Sequence, residues 1–254
     1  MSTLAPPSIF EEYEQWMQPV RNRSAANPTL AALVRSDMDP LVLELFLLYF
    51  AAMGVRMTEP VEQWILRAAK RCGELGYTDL AKALRGHAAA EAGHNLMMVR
   101  DTHAMTASLN ARYQPSFDAE KLLAAAPGPG ATRYIAVHEA VIGGPAPYAQ
   151  VAVEYEIEML PVRYGPILVK ACVERLGKEI LGGLSFITEH IVLDVGHTKF
   201  NSRQLEDVLE LNPESLPTMV AAGTDVLEAY AAFLCDCLEA ARSTRQKLTR
   251  LPVA

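Results

Sequence analysis

The stretch EHIVLDVGHTKF, residues 189–200, decides how this chain is read. It holds no proline, and His190, Asp194 and His197 fall at i, i+4 and i+7. Residues three or four apart lie above one another on an α-helix, so the three polar side chains form one stripe on a single helix. Upstream, HAAAEAGHNLMM (residues 87–98) repeats the spacing with His87, Glu91 and His94. Two further carboxylates sit in apolar surroundings. Glu44 lies inside LVLELFLLYFAAM (residues 41–53), and Glu158 inside VEYEIEMLP (residues 153–161).

The segments around these stretches are rich in Ala, Leu, Glu and Met, and runs alternating in period two are scarce, so the chain reads as all-α. Asp39-Pro40 is an N-cap followed by proline at the first helical position and opens a helix to about Val55. Thr58-Glu59-Pro60 opens a second, and Thr78-Asp79 a long third that runs unbroken to about Ala107. A loop with APGPG spans residues 114–131, with a short helix at 118–125. Helices follow over about 132–141, from Pro147 to a stop or kink at Pro161, over 167–176, over 178–199, and finally over 218–250. Breaks between them are short, and no period of 20–50 residues recurs. The expectation is one domain over residues 1–254, with 1–36 as an N-terminal extension and 218–250 as a C-terminal helix packed on the bundle.

Composition limits the function. Of 254 residues, half are hydrophobic and 21% charged, which excludes a disordered or fibrous chain. A net charge of −7 offers no basic surface to nucleic acid or anionic lipid. The first thirty residues lack a basic start followed by an apolar run, so no secretory signal is expected. The apolar stretch Leu41–Val55 is interrupted by Glu44 and is short for a bilayer span, so no membrane is expected. Cys72, Cys172, Cys235 and Cys237 form no CxxC pair and read as packing residues of a reduced, cytoplasmic protein.

The order along the chain is Glu, ExxH, Glu, then HxxxDxxH. Four-helix dinuclear carboxylate sites draw one Glu from each of two helices and ExxH from each of the other two. Here Asp194 replaces the last Glu, and His190 adds a ligand one turn earlier. The candidate metal ligands are therefore Glu44, Glu91, His94, Glu158, His190, Asp194 and His197, four carboxylates and three imidazoles. Oxygen and nitrogen donors without thiolate favour iron or manganese, with zinc not excluded. Four ionised carboxylates would balance two divalent ions, whereas four without metal would be costly in a core. Glu154 shares a face with Glu158 and competes with it, while Glu156 points the other way. His87 is read as a residue that orients a ligand by a hydrogen bond. His103 and His138 have no such setting.

These residues resemble the heme-oxygenase-like diiron oxidase and oxygenase family. The resemblance covers roughly Leu41 to Asn201 and rests on LELFLLYF around Glu44, EAGH at 91–94, YEIE ending in Glu158 and HIVLDVGH at 190–197. It implies an up-and-down bundle of about seven helices and the seven candidates above as iron ligands. It also implies two iron ions as cofactor, with O2 as co-substrate. The chain is then an enzyme that oxidises a small organic molecule in a biosynthetic pathway. N-oxygenation of an amine or amino acid is favoured over oxidative C–C cleavage, decarboxylation or desaturation of a small acid. An external electron donor and a homodimer fit that picture. Arg133 and Arg163 are the guanidinium groups considered as anchors for a substrate carboxylate, and both read more readily as surface charges. Metal-free relatives of the fold, a thiaminase-type hydrolase or a cofactorless oxidase, are the rival reading. A thiaminase-type site needs a nucleophilic cysteine, and none lies in the ligand stretches.

Overall fold

A computed structural model describes residues 7–252 of the chain. Residues 1–6, the start of the expected N-terminal extension, lie outside the described part. The rest is helical: α1 (Ile9–Ala25), α2 (Pro28–Val34), α3 (Pro40–Thr58), α4 (Val61–Glu74), α5 (Thr78–Glu91), α6 (Asn95–Asn110), α7 (Ala119–Ala124), α8 (Pro129–Gly143), α9 (Gln150–Leu176), α10 (Ser185–Leu211) and α11 (Leu216–Arg245). The expected count of about seven is exceeded because α1 and α2 add to the bundle, α7 is a short piece, and the long third helix is split.

Local chemistry starts these helices as the sequence indicates. The Asp39 side chain accepts from Leu41 N at 2.8 Å, with Pro40 next to it. Ser8 and Glu11 form a capping box at α1. α3 is buried on nearly all sides and forms the axis of the bundle. Around it pack α6, α8 and α11, with α9 and α10 side by side behind. Two stretches, Pro40–Glu74 and Pro213–Arg245, are longer apolar runs than expected and could cross a membrane by length and composition. In the first, 78% of the most apolar window is buried inside the bundle, which is how a core helix behaves.

Residues 9–34, expected to extend from the bundle, belong to it. Tyr13, Met17 and Leu33 are buried, and Arg21 on α1 reaches α9. The expected unbroken helix over 79–107 stops after Glu91 and restarts at Asn95. Gly93 between them has φ +83°, a left-handed conformation that glycine adopts at no steric cost. The expected stop at Pro161 is also absent. α9 continues through Pro161 and Pro166 to Leu176, without the backbone bonds these prolines cannot donate. The expected 178–199 helix is instead a 3-10 turn, Lys178–Gly183, followed by α10 running twelve residues past Lys199. β1 (Tyr113–Gln114) pairs antiparallel with β2 (Thr249–Arg250), a short ribbon that ends α11 before the expected residue 250.

Candidate metal centre

The site lies where α5, the start of α6, α9 and α10 meet. The helical stripe on α10 forms as expected, with His190 and Asp194 buried and His197 half-buried. The N-terminus of α10 is held from α6. Asp101, itself buried, accepts from Ser185 N and Phe186 N, both at 2.9 Å, and from Ser185 Oγ at 2.8 Å. A carboxylate there satisfies orphan backbone donors and complements the helix dipole.

Glu91 stands at the centre. It is the last residue of α5, and His94 opens α6, so the turn at Gly93 rather than a shared helical face brings them together. Glu91 Oε2 lies 2.9 Å from His94 Nδ1, and Oε1 lies 2.9 Å from His197 Nδ1. His197 Nδ1 also lies 3.3 Å from Asp194 Oδ1 and 3.9 Å from Glu158 Oε1. His87 Nε2 lies 3.0 Å from Glu158 Oε1, and Asn201 donates to Glu158 Oε2 at 2.6 Å. His190 places Nδ1 2.7 Å from the Phe186 carbonyl, so the bond that fixes the ring leaves Nε2 as its free donor atom. Two groups of donors lie within 4.8 Å of one another: Glu91, His94 and His190, and His87, Glu91 and Glu158. Glu91 belongs to both.

Glu44 is not among them. Its carboxylate pairs with Arg112, which projects from just beyond the end of α6. Gly54 of the same helix lines the donor cavity. Phe50 lines it too, and at 1.5 Å rise per residue Glu44 lies about 9 Å along the axis from Phe50 and about 15 Å from Gly54. The apolar sequence around Glu44 marks a buried carboxylate, and an arginine from a distant segment pairs with it here, apart from the other six candidates. Six of the seven candidate ligands therefore converge. Glu156 turns away as expected and is held by Arg21 Nε at 2.9 Å, Arg21 Nη2 at 2.6 Å and Tyr13 Oη at 2.9 Å. Arg133 pairs with Glu228 at 2.8 Å on the surface, and Arg163 lines a small outer cleft.

Glu154 and Asn201 are the residues that sequence reasoning underused. Glu154 lines the same cavity as Glu91 and Glu158, and Gln150 Nε2 donates to it. Asn201 extends the 190–194–197 stripe by one more turn, and that periodicity is the signal that marks it. His138, left aside on the sequence, is buried 2.8 Å from Gln150 Nε2 and stacked on Trp64, with centroids 4.0 Å apart.

The electrostatics fit a cation at this point. Burial alone would raise Glu91, but the close His197 and His94 rings outweigh it and hold its carboxyl far below the usual range. His197 is raised to about 10 by Asp194 and then Glu91. Burial lowers His190, keeping it neutral and able to ligate. For His87, burial works downward but the Glu158 contact wins and raises it. Burial raises Glu158, and it pushes Glu154 up to about 8. His87 Nε2, Glu91 Oε1, Glu158 Oε1, Asp194 Oδ1 and His197 Nδ1 are all buried without a hydrogen-bond partner of acceptable geometry, although they stand 3–4 Å apart. Buried polar atoms normally find partners. Five orphaned donors crowded at one place are what a bound cation would satisfy. The oxygen and nitrogen donors suit a hard or borderline metal ion, and Glu91 is common to both donor groups that could hold one.

No protein-family model matches the sequence, and no curated protein does. Solved structures do. A protein from Shewanella denitrificans, described as a domain of unknown function with a heme oxygenase-like fold, superposes with a TM-score of 0.77 at 16% identity, over 95% of this chain and 96% of that one. This chain has the heme-oxygenase-like fold. A TenA homolog from Pseudomonas syringae matches with a TM-score of 0.68 at 13% identity, over 94% of this chain and 99% of its own. A CADD-like protein of unknown function from Nostoc punctiforme matches with a TM-score of 0.60 at 12% identity, over 96% and 100%. The all-α, heme-oxygenase-like bundle expected from the sequence is thus the fold of this chain.

Proposed function

We propose that the protein is a non-heme diiron oxidase or oxygenase that uses O2 to oxidise a small organic substrate. The observation that carries this reading is the central place of Glu91, which has donor atoms within 4.8 Å of those of His94 and His190 in one group and of Glu158 in the other. Glu91, His94, Glu158, His190, Asp194 and His197 would hold the ions, and His87 would orient Glu158. When bound, the iron pair supplies the redox chemistry with O2. The chain supplies the rest. His190 is fixed by the Phe186 carbonyl and Glu158 by Asn201. Phe50, Met57, Val61, Phe186 and Phe233 wall the donors off from water. Glu154, held protonated near neutrality by burial, keeps a proton beside the cavity.

The metal-free alternative finds less support. No cysteine lines the donor cavity, and burial raises Cys72 and Cys172 to about 12 in the core elsewhere. The reaction is best read through charge. Three carboxylates, Glu91, Glu158 and Asp194, set against two divalent ions and the His87 proton, leave about two excess positive charges. That favours an anionic substrate head. No lysine or arginine lines the donor cavity to hold a second carboxylate or a zwitterion. Oxidation beside the carboxylate of a nonpolar acid, by cleavage or desaturation, therefore ranks ahead of the N-oxygenation favoured by the sequence alone.

Anaerobic titration with ferrous iron followed by metal counting tests the reading. About two irons per chain are expected, with loss of iron in His190→Ala while the helical signal is retained. Full iron occupancy in that variant would remove His190 from the site, and failure of the unaltered chain to bind iron would end the proposal.

A further inference from the structure

The cleft that holds Glu44 lies at the start of α3 and shares no lining residue with the donor cavity. It encloses about 1050 Å³ of space, part of it open to solvent, between α3, α6, the end of α9 and the Lys178–Gly183 turn. Its walls are mixed. Glu44, Arg112, Arg175 and Glu179 bring two charges of each sign, and Leu41, Leu176 and Ile180 bring a nonpolar side. Two of the charges are incompletely answered. Glu44 is 6% exposed, and Arg112 reaches only its Oε1; among the described residues no donor reaches Oε2. A buried carboxylate is costly unless its remaining lone pairs are met. Arg112 is held in place by the Ser108 carbonyl at 3.1 Å, the Ser108 hydroxyl at 3.2 Å and the Tyr113 ring, which leaves Nη1 over. Arg175 directs Nη1 and Nη2 at the carbonyl oxygens of Leu33, Ala171 and Val34, and no carboxylate among the described residues pairs with it.

We propose that this cleft is a second ligand site, for an α-amino acid with a nonpolar side chain. Its ammonium group sits on Glu44 Oε2, its carboxylate on Arg175 and the free Nη1 of Arg112, and its side chain against Leu41, Leu176 and Ile180. An ammonium supplies the N–H donors that the buried oxygen lacks, and a carboxylate supplies the anion that Arg175 lacks. An amine or an acid alone answers only one of the two. The Lys178–Gly183 turn leads into α10, and Met105 of the same cleft packs beside Gly183, so an occupant braces the start of the helix that carries His190, Asp194 and His197. The site is thus one for an effector, separate from the molecule oxidised at the donor cavity, and it stands without the metal reading.

Calorimetric titration of the full chain without added metal tests this with leucine, methionine and phenylalanine, and with isocaproate and isoamylamine, which lack one charged group of leucine each. At least one amino acid should bind, and loss of either charged group should weaken leucine binding about tenfold or more. Glu44→Gln should erase the preference for leucine over isocaproate. Gly182→Trp places a side chain where a Cβ meets nothing within 4 Å, so it fills the cleft without displacing a neighbour and should abolish binding. That variant keeps the test decisive if Glu44→Gln does not fold. His190→Ala should bind as the unaltered chain does, and leucine should slow hydrogen exchange in residues 178–183. Absence of binding by the unaltered chain, binding unchanged in Gly182→Trp, or exchange unchanged at 178–183 would overturn the proposal. Binding lost in His190→Ala would overturn it too, because the ligand would then occupy the donor cavity.

Discussion

Iron binding should depend on pH through one identifiable proton. Without metal, His197 stands 2.9 Å from Glu91 Oε1 and 3.3 Å from Asp194 Oδ1, and these carboxylates raise its pKa to about 10 from an ordinary 6.5. The ring is half-buried, so solvent screening trims the effect, but even a much smaller rise leaves it protonated near neutrality. A metal ligand must be the neutral imidazole, so a proton has to leave as iron binds. Below the folded-state pKa, each unit of pH should therefore raise the apparent ferrous affinity about tenfold for that proton. His190 adds nothing, because burial already holds it neutral. His87 should keep its proton, because it faces Glu158 as an orienting group. Anaerobic competition against a chelator between about pH 6 and 8 should give a slope of about one, and His197→Asn should flatten it and cost one iron. The stability of the metal-free chain should run the opposite way. A raised folded-state pKa stabilises below the unfolded value, and that contribution fades as pH climbs towards 10. A pH-independent affinity, or an unchanged slope in His197→Asn, would refute the placement of the proton.

Three substitutions separate the site from its scaffold. Glu44→Gln should leave iron stoichiometry unchanged while costing about 1–2 kcal/mol in denaturant unfolding, because Arg112 loses a charged partner and is itself partly exposed. Gly93→Ala meets no close neighbour, with Leu96 Cδ1 nearest at 3.9 Å, so its cost of about 1–2 kcal/mol is backbone strain alone at φ +83°; it should also weaken iron binding by shifting His94 relative to Glu91. Arg21→Ala leaves the buried Glu156 with only the Tyr13 hydroxyl as partner and no countercharge, and should cost about 3–5 kcal/mol, while Arg21→Met combined with Glu156→Met should recover most of that in thermal unfolding, with two irons still bound.

The parts of this molecule legible in its sequence are those fixed by neighbours along the chain. The stripe His190, Asp194, His197 needs only helical periodicity, and α10 supplies it. The Asp39-Pro40 start of α3 and the Asp118 cap of α7 are likewise local. What stayed hidden depends on contacts made at a distance. Nothing near Glu44 names Arg112, 68 residues on. Gly93 in a helical pattern reads as a tolerated weak point, and only the packing of α5 and α6 turns it into a left-handed break. The β1–β2 pair joins segments more than a hundred residues apart. Pro161 was expected to end or kink α9, yet packing against α10 carries the helix past it.

The run Glu154, Glu156, Glu158 shows how the two kinds of information combine. Periodicity separates 154 and 158 from 156, but it cannot say which side faces the ligands. The choice is made by α1: Arg21 grips Glu156 with two nitrogens, and Tyr13 adds a hydroxyl. Turning α9 by half a turn would strip Arg21 of its partner and press Glu154 and Glu158 against α1, where one arginine would face two carboxylates. A buried ion pair adds little net stability compared with apolar packing, so its value here lies in selecting one rotation of α9 over the other. The same rotation carries Glu158 to His87 and Asn201 and brings Glu154 into the cavity. The N-terminal helix α1 therefore acts on the site from outside it, fixing the rotation of α9 through Arg21.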